Sequence, residues 1–319
     1  MLRFVVRRLV GMVFVLFVVS ILVFLIFNVI PNSPPAQRLA GKNATPVLVK
    51  SIEEEWGFDE SLPVQYVTMM KNVFTGELTS YSPRIPVNDQ IQEGIPATFS
   101  LSIGAGIIWL SFGLLLGYLA ATRAGGWLDR ALTGVAIAGI SIPVFLLAPV
   151  LIYFLTYKLE IFPNGGYVKL TEDPWEWFTH LILPWFTLAV LSIGFYSRVL
   201  RSNMLDVMNE DYVRTARAKG LSEGRVMTRH VLRNSLIPIV TLFGLDFGAT
   251  IAGTAIITEV LYGITGVGYY AAHAIANFEL PPIMGVTLYG AFFVVFINTL
   301  VDIGYAYLDP RVRLGASAQ

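Results

Sequence analysis

The stretch Asn209-Glu-Asp-Tyr-Val-Arg-Thr-Ala-Arg-Ala-Lys219-Gly220-Leu-Ser222-Glu223 lies between two long apolar runs, and the rest of the chain is read from it. Asn209 is of the type that caps a helix N-terminus, and Glu210 and Asp211 follow where the helix dipole is positive. Lys219 falls at the negative end, Gly220 suits the left-handed position just beyond it, and Ser222-Glu223 opens the next helix. The spacing predicts a helix of about ten residues, stopped on both sides. With a membrane span at each end, such a helix runs across the membrane surface. Tyr212, Thr215, Ala216 and Lys219 fall at i, i+3, i+4 and i+7 and share one face. Small residues there admit another protein's backbone while the aromatic fills a pocket, so this face reads as a docking surface. A solvated basic loop would explain the Lys and Arg residues, but not the interleaved acids or the double stop.

Of 319 residues, 55% are hydrophobic and 14% charged, with mean hydropathy +0.65. A soluble domain carries about a quarter charged residues; this composition is that of an integral membrane protein. Lys+Arg and Asp+Glu both number 22, so there is no basic excess to attract nucleic acid. The apolar content excludes disorder, and the 28 glycines show no triplet period. With no cysteine, disulfides, thiolate metal sites and a cysteine nucleophile are excluded.

About 20 apolar residues cross a hydrocarbon core of about 30 Å. Six stretches qualify as spans: Leu9–Ile30, Ala97–Thr122, Ala131–Tyr157, the shorter Leu181–Ser197, Ile237–Tyr262 and Ile283–Leu308. The first follows Arg3, Arg7 and Arg8, but its length and the lack of a small-x-small site read as an uncleaved helix. Fifteen Lys and Arg lie on the side of the N-terminus and seven on the other, which predicts cytoplasmic termini. The expected organisation is all-α: an N-terminal span (1–30), an extracytoplasmic helical loop (31–96), a five-span core (97–308) with a cytoplasmic loop (198–236), and a tail (309–319). Within the outer loop, Thr45-Pro46 and Gly57 bound one helix, and Ser61 and Gly76 bound a second. An Asn43-Ala44-Thr45 sequon is discounted as a chance triplet.

The patterns that carry catalysis are missing. There is no Gly-x4-Gly-Lys-Ser/Thr loop, no Gly-x-Ser-x-Gly elbow and no HExxH, and His180, His230 and His273 are dispersed. The chain is therefore expected to bind no metal or cofactor and to catalyse nothing. Asp246 lies well inside the fifth span, where a charge costs about 2.5–3.5 kcal/mol and faces a cavity or a partner. Two readings stand: Asp246, with Thr250 and Thr254, lines a translocation path, or it bonds a helix of a second subunit. Glu259 and Asp302 are placed near the two surfaces, where solvation is cheap. Gly263-Ile-Thr-Gly266-Val-Gly268 reads as a flexible outer loop or an outer gate with Glu259. Pro143, Pro149 and Pro184 are expected to kink their helices, and Gly113 and Gly117 form a close-packing GxxxG.

Asp211-Tyr-Val-Arg-Thr-Ala-Arg-Ala-Lys-Gly-Leu221, followed by Arg229-His-Val-Leu-Arg-Asn-Ser-Leu-Ile-Pro238, resembles the inner-membrane permease subunits of ATP-binding-cassette importers. The likeness is greatest to the B-type subunit of the oligopeptide/dipeptide branch. Arg7-Arg8, Pro31, Leu62-Pro-Val-Gln-Tyr66, Pro96-Ala-Thr98, Trp127-Leu-Asp-Arg130 and Ser141-Ile-Pro143 extend the likeness. Thr258-Glu259, Gly266-Val-Gly268 and Asp309-Pro-Arg-Val-Arg313 carry it over nearly the whole chain. The superfamily loop motif is Glu-Ala-Ala, three residues, Gly, nine residues, Ile-x-Leu-Pro. Anchored on Gly220, its first three positions hold Arg214, Thr215 and Ala216, and its last four hold His230, Val231, Leu232 and Arg233. That departure is usual in the peptide branch.

The resemblance implies a type I importer permease fold (MetI-like) in which the short cytoplasmic helix couples to an ATPase through Asp211, Tyr212, Arg214, Thr215, Ala216, Lys219 and Gly220. It implies a similar second permease, two ATPase subunits holding ATP and Mg, an extracytoplasmic substrate-binding protein and a bacterial inner-membrane location. Dipeptides or oligopeptides are the implied cargo, with nickel chelates or oligosaccharides as alternatives. A proton-coupled secondary transporter with Asp246 and Glu259 as relays is the contrasting class, disfavoured because hydropathy reveals no inverted repeat. An intramembrane hydrolase is excluded by the lack of a nucleophile–base pattern.

Overall fold

The computed structural model describes residues 2–26, 36–37, 45–80, 85–277 and 279–308. Among them regular structure is helical, apart from one bridge between Thr79 and Pro86. Five helices are long and apolar enough to cross a membrane, or six if a bent pair is one span. Residues 27–35, the sequon residues Asn43 and Ala44, the tail from Asp309 and the side chain of Asp302 lie outside the described residues.

α1 (Leu2–Phe24) leaves most of its apolar side chains uncovered, as a helix solvated by lipid does. Its C-terminal end packs on α3 (Leu62–Thr75): Phe24 meets Tyr66 edge-on at 5.5 Å, and the Ser20 and Tyr66 hydroxyls are 2.7 Å apart. α2 (Pro46–Trp56) and α3 have the expected bounds. Thr45 accepts the Leu48 N–H and Pro46 starts α2, while Gly57 and Gly76 close the two helices with φ of 66° and 81°.

α4 (Val87–Thr122) starts ten residues before the apolar run because Pro86 caps it and Pro96 is carried within it. α7 (Pro174–Met208) corrects the short fourth span: it is 35 residues long, opened by Asp173, which accepts from Trp175 N and Glu176 N at 2.8 and 3.0 Å. Pro184 lies inside it, and the helix continues. α4 and α7 form the principal seam, with Leu101, Trp109, Leu181, Tyr196, Leu200 and Met204 buried around it. Gly113 and Gly117 serve it as expected: a Cβ on Gly113 would stand 2.8 Å from Tyr196 Cβ.

The expected third span is not one straight helix. α5 (Trp127–Ser141) and α6 (Val144–Lys158) meet at 97°. Ile142 precedes a proline and leaves the helical region (φ −94°, ψ 113°), and Pro143 has no N–H to continue the ladder. The expected fifth span, Ile237–Tyr262, is displaced toward the N-terminus, by nearly four turns at its start and about two at its end. α9 (Glu223–Thr254) begins at the Ser222 cap and ends at a break where Gly253 has φ 160° and ψ −13°. Beyond the break lie α10 (Ile256–Tyr262), α11 (Val267–Ala276) and α12 (Leu280–Leu308), the last packed on α1 and α9.

Candidate functional site

α8 (Asp211–Ala218) joins α7 to α9 and is the helix expected from the sequence, with one cap reassigned. Asn209 closes α7 instead of opening α8, because α7 runs on to Met208; its amide bonds the Leu205 carbonyl at 3.0 Å. Extended Glu210 (φ −69°, ψ 146°) takes the N-cap, its carbonyl accepting from Val213 N and Arg214 N. Lys219 is the C-cap, Gly220 turns the chain with φ 79°, and Ser222 caps α9 as expected.

The predicted face is split. Val213 and Ala216 are buried in the core with Leu200, Met204, Val226 and Val231, so Ala216 faces the bundle. Hydrophobic burial, every third residue, sets the rotation of so short a helix. Asp211, Tyr212, Arg214, Thr215 and Lys219 remain exposed. Asn234 donates to the Tyr212 hydroxyl at 2.8 Å, and Arg217 forks onto Glu223 at 3.1 and 2.8 Å, tying α8 to the start of α9. The result is a firmly seated helix whose outer face carries both charges and an aromatic.

Two acids behave differently from each other and from expectation. Asp246, half-buried on α9, accepts a 2.7 Å hydrogen bond from the fully buried Tyr196 of α7. The helix-to-helix bond therefore forms within this chain. Thr250 sits one turn on and bonds the Asp246 carbonyl at 2.7 Å, and Thr254 is exposed at the end of α9, one residue after Gly253. Glu259 is not near solvent at all: its exposure is 0%. Its Oε1 accepts from the Thr98 hydroxyl at 2.7 Å and its Oε2 from the Tyr269 N–H at 2.8 Å. Thr98 in turn accepts the Val267 N–H at 2.9 Å.

A carboxylate at the first turn of α11 meets free N–H groups and the positive end of the dipole, which is why it survives burial. The same contact corrects the flexible-loop reading of Gly263–Gly268. A Cβ on Gly266 would overlap the Glu259 carboxylate, and one on Gly268 would stand 2.9 Å from Oε2. These glycines let the loop close around a buried carboxyl group. Thr98 was invisible in the sequence as its partner, since 161 residues separate them.

Sequence reasoning also missed a second buried carboxylate. Asp129 on α5 holds Arg201 of α7 in a two-point ion pair at 2.6 and 2.7 Å, although Trp127-Leu-Asp-Arg130 had marked the segment. An apolar cleft of about 800 Å³ opens between α4 and α7, lined by Phe99, Ile103, Ile107, Trp177, Phe178 and Trp185. Among the described residues no three His, Asp or Glu side chains are grouped to hold a metal ion.

Residues 113–314 match the family described as binding-protein-dependent transport system inner membrane component, and residues 1–102 match the N-terminal part of such components. The chain belongs to this family. The permease is 38% identical to the probable peptide ABC transporter permease protein y4tP of Sinorhizobium fredii, over 97% of this chain and 99% of that protein. It is 34% identical to the dipeptide transport system permease protein DppB of Bacillus subtilis, over 98% and 99%. It is 35% identical to the probable D,D-dipeptide transport system permease protein DdpB of Escherichia coli, over 96% of each. The permease is a multi-pass inner-membrane transport component, of a family that works with a binding protein and an ATPase.

Proposed function

We propose that the permease is one half of a two-permease channel in an ATP-driven importer of dipeptides or oligopeptides. Two ATPase subunits bind ATP and Mg on the cytoplasmic side, where both termini lie, and a binding protein delivers peptide from outside. The reading is carried by α8: a helix seated by Val213 and Ala216, between two spans, with Asp211, Tyr212, Arg214, Thr215 and Lys219 uncovered. Those exposed groups and the turn at Gly220 enter a cleft of the ATPase, and closure of the ATPase pair moves α7 and α9 together. The names of the relatives support peptide as cargo.

Within the bundle, Asp246, with Thr250 and Thr254 on the same stretch of α9, contributes the polar side of the path. Glu259, Gly266 and Gly268 form its outer gate, held shut on Thr98 of α4. No bond is made or broken by this subunit; it alternates between two packings. The test is uptake of a radiolabelled dipeptide by vesicles holding the permease with its co-expressed neighbours and binding protein. Uptake that requires ATP and survives a proton ionophore bears the reading out. Uptake that persists without ATP and collapses with the proton gradient overturns it, and uptake of a nickel chelate or a sugar in place of peptide overturns the cargo.

A further inference from the structure

Asp129 is the third residue of α5, almost wholly enclosed, and its carboxylate is engaged from several sides. Arg201 donates Nε to Oδ1 at 2.6 Å and Nη2 to Oδ2 at 2.7 Å. The Gly125 N–H reaches Oδ2 at 2.9 Å, and the Thr133 hydroxyl reaches Oδ1 at 3.4 Å. Two parallel N–H···O bonds fix distance and angle together, which one point charge does not.

The positions of the two residues give the pair its interest. Arg201 lies in the last turns of α7, which ends at Met208 and passes through Asn209 and Glu210 straight into α8. Asp129 opens α5, whose far end is the 97° corner before Pro143. Between these ends α5 and α7 lie too close to admit side chains: a Cβ on Gly194 would overlap the Ala136 carbonyl, and one on Gly139 would stand 3.3 Å from the Val190 carbonyl. Apolar contacts slide at small cost, but parting the fork strands a carboxylate away from water. The ion pairs on α8 itself, Arg214–Asp211 and Arg217–Glu223, have exposed side chains (67% and 98%, 36% and 60%), so water replaces them readily.

We propose that Asp129–Arg201 is the joint through which displacement of α8 reaches α5 and the corner at Pro143, so that the two are positioning residues for transport. The inference rests on the transport reading above. When α8 is pushed, α7 carries Arg201 with it, the fork obliges the start of α5 to follow, and the corner between α5 and α6 takes up the movement.

The experiment uses the assembled importer in vesicles, with ATP hydrolysis and peptide uptake measured on the same sample. Asp129→Asn keeps the shape and removes the charge; Arg201→Lys keeps the charge and removes the fork. For both, the complex is expected to purify intact with basal hydrolysis within about twofold of the unaltered complex, while ATP consumed per peptide rises at least about fivefold. The chain has no native cysteine, so Asp129→Cys with Arg201→Cys, bridged by a thiol-specific linker, is expected to recover the original ratio only when bridged. An unchanged ATP-to-peptide ratio in Asp129→Asn and Arg201→Lys overturns the proposal. So does uptake in both that falls only in step with the amount of assembled complex. Failure of ATP to move peptide in the unaltered vesicles is a separate result, seen before any variant is made, and it overturns the transport reading together with this one.

Discussion

Gly117 of α4 lies so near the backbone of α7 that a methyl group in place of its hydrogen would stand 2.7 Å from the Ser197 carbonyl oxygen. A backbone atom inside a helix cannot move aside as a side-chain tip can. Gly117→Ala is therefore expected to lower stability by about 1–3 kcal/mol, the range for overpacking. Gly134 of α5 supplies the control, since nothing lies within 4 Å of its Cβ position. There the same change gains helix propensity of about 0.5–1 kcal/mol. Thermal unfolding of the two variants in detergent should move in opposite directions.

The exposed face of α8 and its buried residues are separable by mutation. Thr215→Arg lies on the exposed face, and the chain should insert and melt as before while losing co-purification with the ATPase. Ala216→Arg pushes a long cation into the core beside Val213, and the permease itself should lose stability before any partner is added. Equal melting temperatures for the two variants would contradict this rotation of α8.

Thr98 both donates to Glu259 and accepts from Val267, so Thr98→Val removes two bonds with little change of shape. Leaving a buried carboxylate short of a donor costs about 1–3 kcal/mol. The expected result is a lower unfolding midpoint and faster proteolysis between α10 and α11. Gly266→Ala, which drives a methyl into the same carboxylate, should do both more strongly.

Tyr196→Phe deletes the one hydroxyl that Asp246 accepts from across the α7–α9 contact. The loss is expected within the range for a bond to a charged group, about 1.5–3 kcal/mol. Thermal unfolding of the variant checks the size of the effect.

What was legible in the sequence was local. Thr45-Pro46, Gly57, Gly76, Gly220 and Ser222 mark helix ends by their own backbone chemistry, and the structure puts each where it was read. The family could be read because its motif residues run along the chain in order. Asn209 was misassigned because a capping side chain suits the end of one helix as well as the start of the next, and only the reach of α7 decides between them. Ala216 was turned outward because helical spacing says which residues share a face, not which way that face points. Glu259 was placed in solvent because depth was counted along one straight helix, and the break at Gly253 ended that count early. Its partners, and the match of Asp129 with Arg201, arise from tertiary approach, which no local pattern records.

The burial of Glu259 also sets an order of assembly. Synthesis runs from the N-terminus, so Thr98 is made 161 residues before Glu259, and Tyr269 ten residues after it. When Glu259 leaves the ribosome, its hydroxyl donor already exists and its amide donor does not. The carboxylate stays hydrated until the following helix has emerged and can fold back over it. The closing of this part of the bundle is thus a joint event, in which two short helices and the early span that receives them come to rest together.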